Sequence, residues 1–185
     1  MAETPSNMIE LGTIAPNFSL PDTVSGVELT YDQVRGENGT LVMFICNHCP
    51  YVIMVKDTLK KLGLMGKEKN FGVVAISSND VENYPQDAPD LMTKTAKEWG
   101  FTFPYLYDES QSVAKSYDAA CTPDIYLFNE ENQLVYRGQL DSARPGNGIE
   151  STGEDLVKAI ESMLSGQDID KNQMPSSGCN IKWKK

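Results

Sequence analysis

Five consecutive apolar residues, Leu41-Val-Met-Phe-Ile45, run straight into Cys46-Asn-His-Cys49-Pro50. An unbroken apolar run of that length suits a strand buried on both faces, in the middle of a sheet that is covered on both sides. Pro50 fits the first turn of a helix, where its missing N–H is not needed. After it Val52, Val55, Leu59 and Leu62 recur on one helical face, so a helix is predicted from Pro50 to about Gly63 with Cys49 as its N-cap. A buried strand that hands over directly to a helix is the nucleus of an α/β fold.

The flanking sequence extends that nucleus. Thr13 to Asp22 and Val27 to Thr30 read as two short edge strands, Phe71 to Ser77 as a second buried strand, and Asp87 to Trp99 as a helix stopped by Gly100. Asp108-Glu-Ser-Gln111 has the form of a capping box opening a short helix through Tyr117. Ile125 to Phe128 and Gln133 to Gly138 form a hairpin, and a last helix begins at the Thr152-x-x-Asp155 cap with Leu156, Ile160, Met163 and Leu164 on one face. This order predicts a central mixed sheet with helices on both faces and a short N-terminal β extension. The acid-rich stretch Asp80 to Asp90 reads as a solvated insertion. Trp99, Phe103, Tyr105 and Tyr107, beside a strand, read as core rather than as a substrate groove.

The chain has 185 residues without an internal repeat or a composition shift, so a single domain over 1-185 is expected, ending in a tail over 166-185. A formal net charge of −10 places a repulsive field before phosphate backbones and anionic lipid, so neither nucleic acid nor membrane is an expected partner. The N-terminus carries an acid where a signal peptide needs basic residues, and no apolar run is long enough to span a bilayer; the expected location is cytoplasmic. In that reducing compartment Cys46, Cys49, Cys121 and Cys179 are thiols at rest unless their work is redox or metal chemistry.

Cys46-Asn-His-Cys49-Pro50 concentrates the chemistry. A helix N-terminus favours a thiolate at its cap, His48 favours a neighbouring thiolate when protonated, and a second cysteine three residues away can donate a hydrogen bond to the first or form a disulfide with it. A low-pKa thiol with a partner of that kind is what thiol-disulfide exchange requires. No cofactor and no metal is needed for it.

A second element, Cys121-Thr122-Pro123-Asp124, leads into the Ile125 strand. With the strand-cysteine-helix junction it resembles the thioredoxin superfamily, whose fold is the arrangement predicted above and whose proline at this position is cis and packs on the redox cysteines. Ala15-Pro16-Asn17-Phe18, Phe44 to Tyr51, Phe103 to Asp108, Tyr136-Arg137-Gly138, Arg144 to Gly148 and Gly178 to Trp183 are similar to the peroxiredoxin-like (alkyl hydroperoxide reductase/thiol-specific antioxidant, redoxin) family. The resemblance implies a thiol-disulfide oxidoreductase or antioxidant protein that reduces disulfides or hydroperoxides. Catalysis falls to Cys49, Cys46 and His48, and an extended substrate pairs with the Thr122-Pro123 backbone. The implied partners are a thioredoxin- or glutathione-like electron donor and a disulfide or peroxide substrate. An ungapped overlay of Leu41–Ile45 on the thioredoxin strand puts Cys49 at the attacking position with Cys46 resolving; the alternative overlay makes Cys46 attack.

The peroxidatic motif P-x-x-x-[T/S]-x-x-C is missing. Counting back from Cys49 places Cys46 and Val42 at its hydroxyl and proline positions, and counting back from Cys46 places Met43 and Gly39 there. Arg137 and Arg144 are the only arginines late enough to polarise a peroxide. A second reading takes Cys46, His48, Cys49 and Cys121 as soft ligands of Zn or Cu(I). Cys121 is otherwise an accessory thiol. Cys179 lies in a tail that Ile181 and Trp183 suit to dock on the body, as a lock or as a resolving cysteine.

Overall fold

The computed structural model describes residues 3–185. Its strands are β1 (Glu3–Pro5), β2 (Ser19–Pro21), β3 (Glu28–Thr30), β4 (Thr40–Phe44), β5 (Gly72–Ser77), β6 (Tyr105–Tyr107), β7 (Cys121–Thr122), β8 (Asp124–Phe128), β9 (Leu134–Tyr136) and β10 (Ser177–Asn180). The helices are α1 (Tyr31–Val34), α2 (Pro50–Lys69), α3 (Pro89–Trp99), α4 (Ser112–Ser116) and α5 (Glu154–Leu164), with a 3₁₀ turn at Pro85–Asp87.

The five-stranded central sheet has the order β6-β5-β4-β8-β9. β4 pairs in parallel with β5, and β5 with β6, while β8 runs antiparallel to β4 and β9 antiparallel to β8. All five residues of β4 are buried, and successive side chains serve opposite faces as the pleat demands. Leu41 and Met43 pack with Val52, Val55 and Leu59 of α2, Met92 of α3 and Leu156 and Ile160 of α5. Val42 and Phe44 pack with Tyr31 of α1, Val113 and Ala114 of α4, and Phe18 and Leu20 of the N-terminal segment. Helices cover both faces, and this is a thioredoxin-like fold with the β2-β3 hairpin added ahead of it. The Thr122–Pro123 peptide is cis.

α2 runs past Gly63 to Lys69 and stops at Asn70, a left-handed residue whose N–H returns to the Gly66 carbonyl. Gly63 marks close packing rather than a stop: a Cβ there would lie 2.6 Å from Phe103 Cδ1, and one at Gly66 would lie 2.6 Å from Val73 Cγ2. Neither predicted box forms as a reciprocal pair. Gln111 is itself the residue before α4, and its side chain turns away to the Ser78 and Lys182 carbonyls, while Asp108 accepts from the Ala114 amide inside the helix. Gly153, not Thr152, precedes α5, and Asp141 gathers the Thr152 and Gly153 amides. Phe103, Tyr105 and Tyr107 are buried core residues. The tail does dock: β10 lies between β1 and β7, Ile181 is buried, and Lys115 sits over the half-exposed Trp183 ring.

Candidate functional site

β4 ends where the sheet ends, and the chain must cross from strand to helix within the few residues that carry the cysteines. Ile45 still donates its amide to the Ile76 carbonyl. Asn47 is then held three ways: its amide donates to Asp87 Oδ1 at 2.8 Å, its side-chain Nδ2 to the Gln86 carbonyl at 3.0 Å, and its Oδ1 accepts from the Tyr105 hydroxyl at 3.1 Å. His48 Nδ1 donates to Asp87 Oδ2 at 2.7 Å, and Asn79 Nδ2 donates to the same oxygen at 2.8 Å. The His48 ring stacks on Tyr84. Asp87 is therefore the centre that fixes the loop, and the Asp80 to Asp90 stretch is not a solvated insertion: Asp87 is fully buried and Asp80 nearly so. A buried carboxylate is tolerable because donors surround it. No local pattern ties Asp87 to the cysteine loop. A sole histidine in need of an orienting acceptor is the one signal the sequence holds.

Cys49 is the N-cap of α2, with Pro50 in the first turn, as the spacing predicts. Its S–H donates to the Thr122 carbonyl at 3.1 Å when protonated. Cys46 Sγ lies 3.5 Å from Thr122 Oγ1 and 3.9 Å from His48 Nδ1. The influence of each thiol on the other does most to divide their acidities. The Cys46 S–H stabilises a Cys49 thiolate, so Cys49 is pulled down to about 5 against the opposing effect of burial, with further help from Cys179, Thr122 and the Val52 amide of the first helical turn. Cys46 is pushed well up by the neighbouring Cys49, by burial and by the Asp87 charge. His48 Nδ1 sits against Cys46, and Asp87 holds it.

Cys121 is buried on the other side of the cis-proline loop with its S–H toward the Pro123 carbonyl, and burial raises its pKa strongly. Among the described residues, the donor atoms within 4.8 Å of one another belong to Cys46, His48 and Asp87, not to the four predicted soft ligands. Hydrogen bonds from Asn47, His48 and Asn79 already account for Asp87 in that cluster.

A family model described as Redoxin matches residues 10–156. The chain belongs to the redoxin family. Two solved structures are close relatives of this redoxin along its whole length. An uncharacterized conserved protein from Geobacillus kaustophilus is 49% identical, with a TM-score of 0.97 over 100% of this chain and 97% of that one. A hypothetical protein from Sinorhizobium meliloti is 46% identical, with a TM-score of 0.95 over 98% of each. The thioredoxin domain of a thiol-disulfide oxidoreductase from Bacteroides vulgatus shares the fold at 21% identity, with a TM-score of 0.64 over 84% of this chain and 99% of that domain. No curated protein matches the sequence. Family membership supports a thiol redox role.

The redoxin's late arginines are occupied elsewhere. Arg137 donates to the Ile9 carbonyl and Gln173, and Arg144 to the Asp141 and Ala143 carbonyls and Gln139. Both brace loops. The Thr122 backbone, expected to receive a substrate, is paired with the chain's own β10, in the register Cys179↔Thr122. No helix among the described residues is long and apolar enough to cross a membrane.

Proposed function

We propose that this redoxin is a thiol-disulfide oxidoreductase in which Cys49 attacks and Cys46 resolves. The observation that carries this reading is the position of Cys49 as N-cap of α2 against the Thr122 loop, with Cys46 beside it; that setting lowers the pKa of the Cys49 thiol and raises that of Cys46. The Cys49 thiolate attacks one sulfur of a disulfide, forming a mixed disulfide and releasing a thiolate that takes a proton. Cys46 then loses its proton, attacks Cys49 Sγ and releases the second thiol. A thioredoxin- or glutathione-like thiol donor restores the dithiol. Asp87 acts through its neighbours as a positioning residue, since it holds Asn47 and His48 around Cys46. A hydroperoxide is a less suited oxidant, because the peroxidatic hydroxyl and proline are missing and both candidate arginines are bound to other groups.

Prereduced protein mixed with an aromatic disulfide, dithiobis-nitrobenzoate, tests the assignment. Cys49→Ser is expected to abolish release of the coloured thiol, while Cys46→Ser retains the first equivalent. The opposite pattern, with Cys46→Ser the inert variant, assigns attack to Cys46 and overturns the order.

A further inference from the structure

The edge of β7 beside the redox cysteines is already filled. β10 pairs with it antiparallel, Cys179 opposite Thr122 and Asn180 opposite Cys121. Thr122 is also the residue whose carbonyl oxygen lies 3.1 Å from Cys49 Sγ, so one peptide unit faces Cys49 with its carbonyl while its residue pairs with Cys179. The approach is close enough to require glycine: a Cβ on Gly178 would lie 2.0 Å from the Thr122 carbonyl oxygen. Cys46, Cys49 and Cys179 are each no more than 2% exposed, so this strand seals the centre it touches.

The strand is anchored at both ends. Before it, the Gln139 amide donates to the Met174 carbonyl and Ser6 to the Ser176 carbonyl. After it, Lys182 donates its amide to Asn79 Oδ1, and Gln111 bridges the Lys182 carbonyl and the Lys184 amide. Asn79 also holds Asp87, which ties the tail to the network around Cys46.

We propose that Cys179 is a further catalytic thiol: β10 occupies the place of an extended disulfide substrate on β7 and delivers Cys179 to Cys49, so that Cys49 can close a disulfide with Cys179 as well as with Cys46. The proposal rests on the redox reading above. An entering disulfide R–S–S–R′ unseats β10 and pairs at Thr122. The Cys49 thiolate forms Cys49–S–S–R and expels R′S⁻, which takes a proton from solvent. On return of the strand, Cys179 gives up its proton and attacks Cys49 Sγ; the Cys49–R bond breaks, and RS⁻ leaves with that proton. The external disulfide gains two electrons and two protons, and the Cys49–Cys179 pair supplies the electrons. The Cys179 thiol keeps its proton until the exchange, its pKa being raised to about 12 mainly by burial and next by the neighbouring Cys49.

Dithiobis-nitrobenzoate and peptide mapping test the proposal on the full chain. Cys46→Ser is expected to release two equivalents of coloured thiol and to yield a peptide pair linked through Cys49 and Cys179, whereas Cys46→Ser with Cys179→Ser stops at one equivalent with the aryl adduct on Cys49. Wild-type protein is expected to contain the Cys49–Cys179 linkage beside Cys46–Cys49. Gly178→Ala, which cannot hold β10 on Thr122, is expected to speed Cys49 alkylation several-fold. If Cys46→Ser stops at one equivalent with Cys179 still free to alkylate, the inference is overturned while the redox reading stands. Complete absence of the Cys49–Cys179 linkage from oxidised wild type overturns it independently of how the variant folds. If wild type releases no coloured thiol at all, the redox reading fails and the inference with it.

Discussion

Asp87 contributes to how the head of α2 shares its protons. It places a buried negative charge near Cys46 and so helps to keep that thiol protonated and able to donate to Cys49. Asp87→Asn removes the charge and turns an NH2 group toward at least one of the three donors, the Asn47 amide, His48 Nδ1 and Asn79 Nδ2, that the carboxylate accepts. The variant is expected to lose about 2 kcal/mol of stability in urea titration, the usual cost of leaving a buried polar group unpaired, and to lower the pH at which Cys46 alkylates. Unchanged stability together with an unchanged Cys46 profile contradicts this role of Asp87. At this scale the sequence is informative where chemistry is local. Cys46, Cys49 and Pro50 are contiguous, and the cap position follows from Pro50 alone. Asp87 and Cys179 reach the site through the fold, so their neighbours in sequence carry no trace of it, and the acidic run around Asp87 has the composition of a solvated loop.

The elements tell a similar story of local against long-range control. β4 is legible because a strand buried on both faces needs apolar residues throughout, and α3 because Pro89 and Gly100 bracket it. The end of α2 is not, because Gly63 looks like a stop until its neighbours are known; it is small because Phe103 and Thr102 crowd its face. Gly63→Ala therefore sets two effects against each other. Alanine gains about 1 kcal/mol in helix propensity, while a methyl group 2.6 Å from the Phe103 ring overpacks the core at about 1–3 kcal/mol. Overpacking is expected to prevail, with a net loss of about 1 kcal/mol by denaturant unfolding. A net gain would show that Phe103 yields freely. The capping boxes fail for the same reason. Asp108 and Gln111 have the right spacing, but Gln111 has better partners in Ser78, Lys182 and Lys184, which no local pattern can reveal.

Across the whole molecule, the thioredoxin-like fold brings three separated segments to one point: the head of α2, the cis-proline strand β7, and the C-terminal strand β10. Asp124, next to that proline, is buried with its carboxyl pushed up, chiefly by burial. An acid with a raised pKa holds its proton more tightly in the folded state. Its contribution favours folding at low pH and is lost as pH rises through the folded value, the reverse of an ion-paired carboxylate. Asp124→Asn cannot ionise, so its stability relative to wild type is expected to improve progressively from about pH 4 to neutral. Parallel stability curves for the two proteins contradict that direction of the Asp124 shift.

The assignment of the thiolate to Cys49 underlies the whole account, and pH-dependent alkylation with mass mapping of each cysteine tests it most directly. The prediction is that Cys49 is modified first, with a rate that keeps its plateau below neutral pH and falls away near pH 5, while Cys46, Cys121 and Cys179 lag until the pH is well above neutral. A profile in which Cys46 reacts before Cys49, or in which both titrate near the ordinary thiol value of about 8.5, contradicts it.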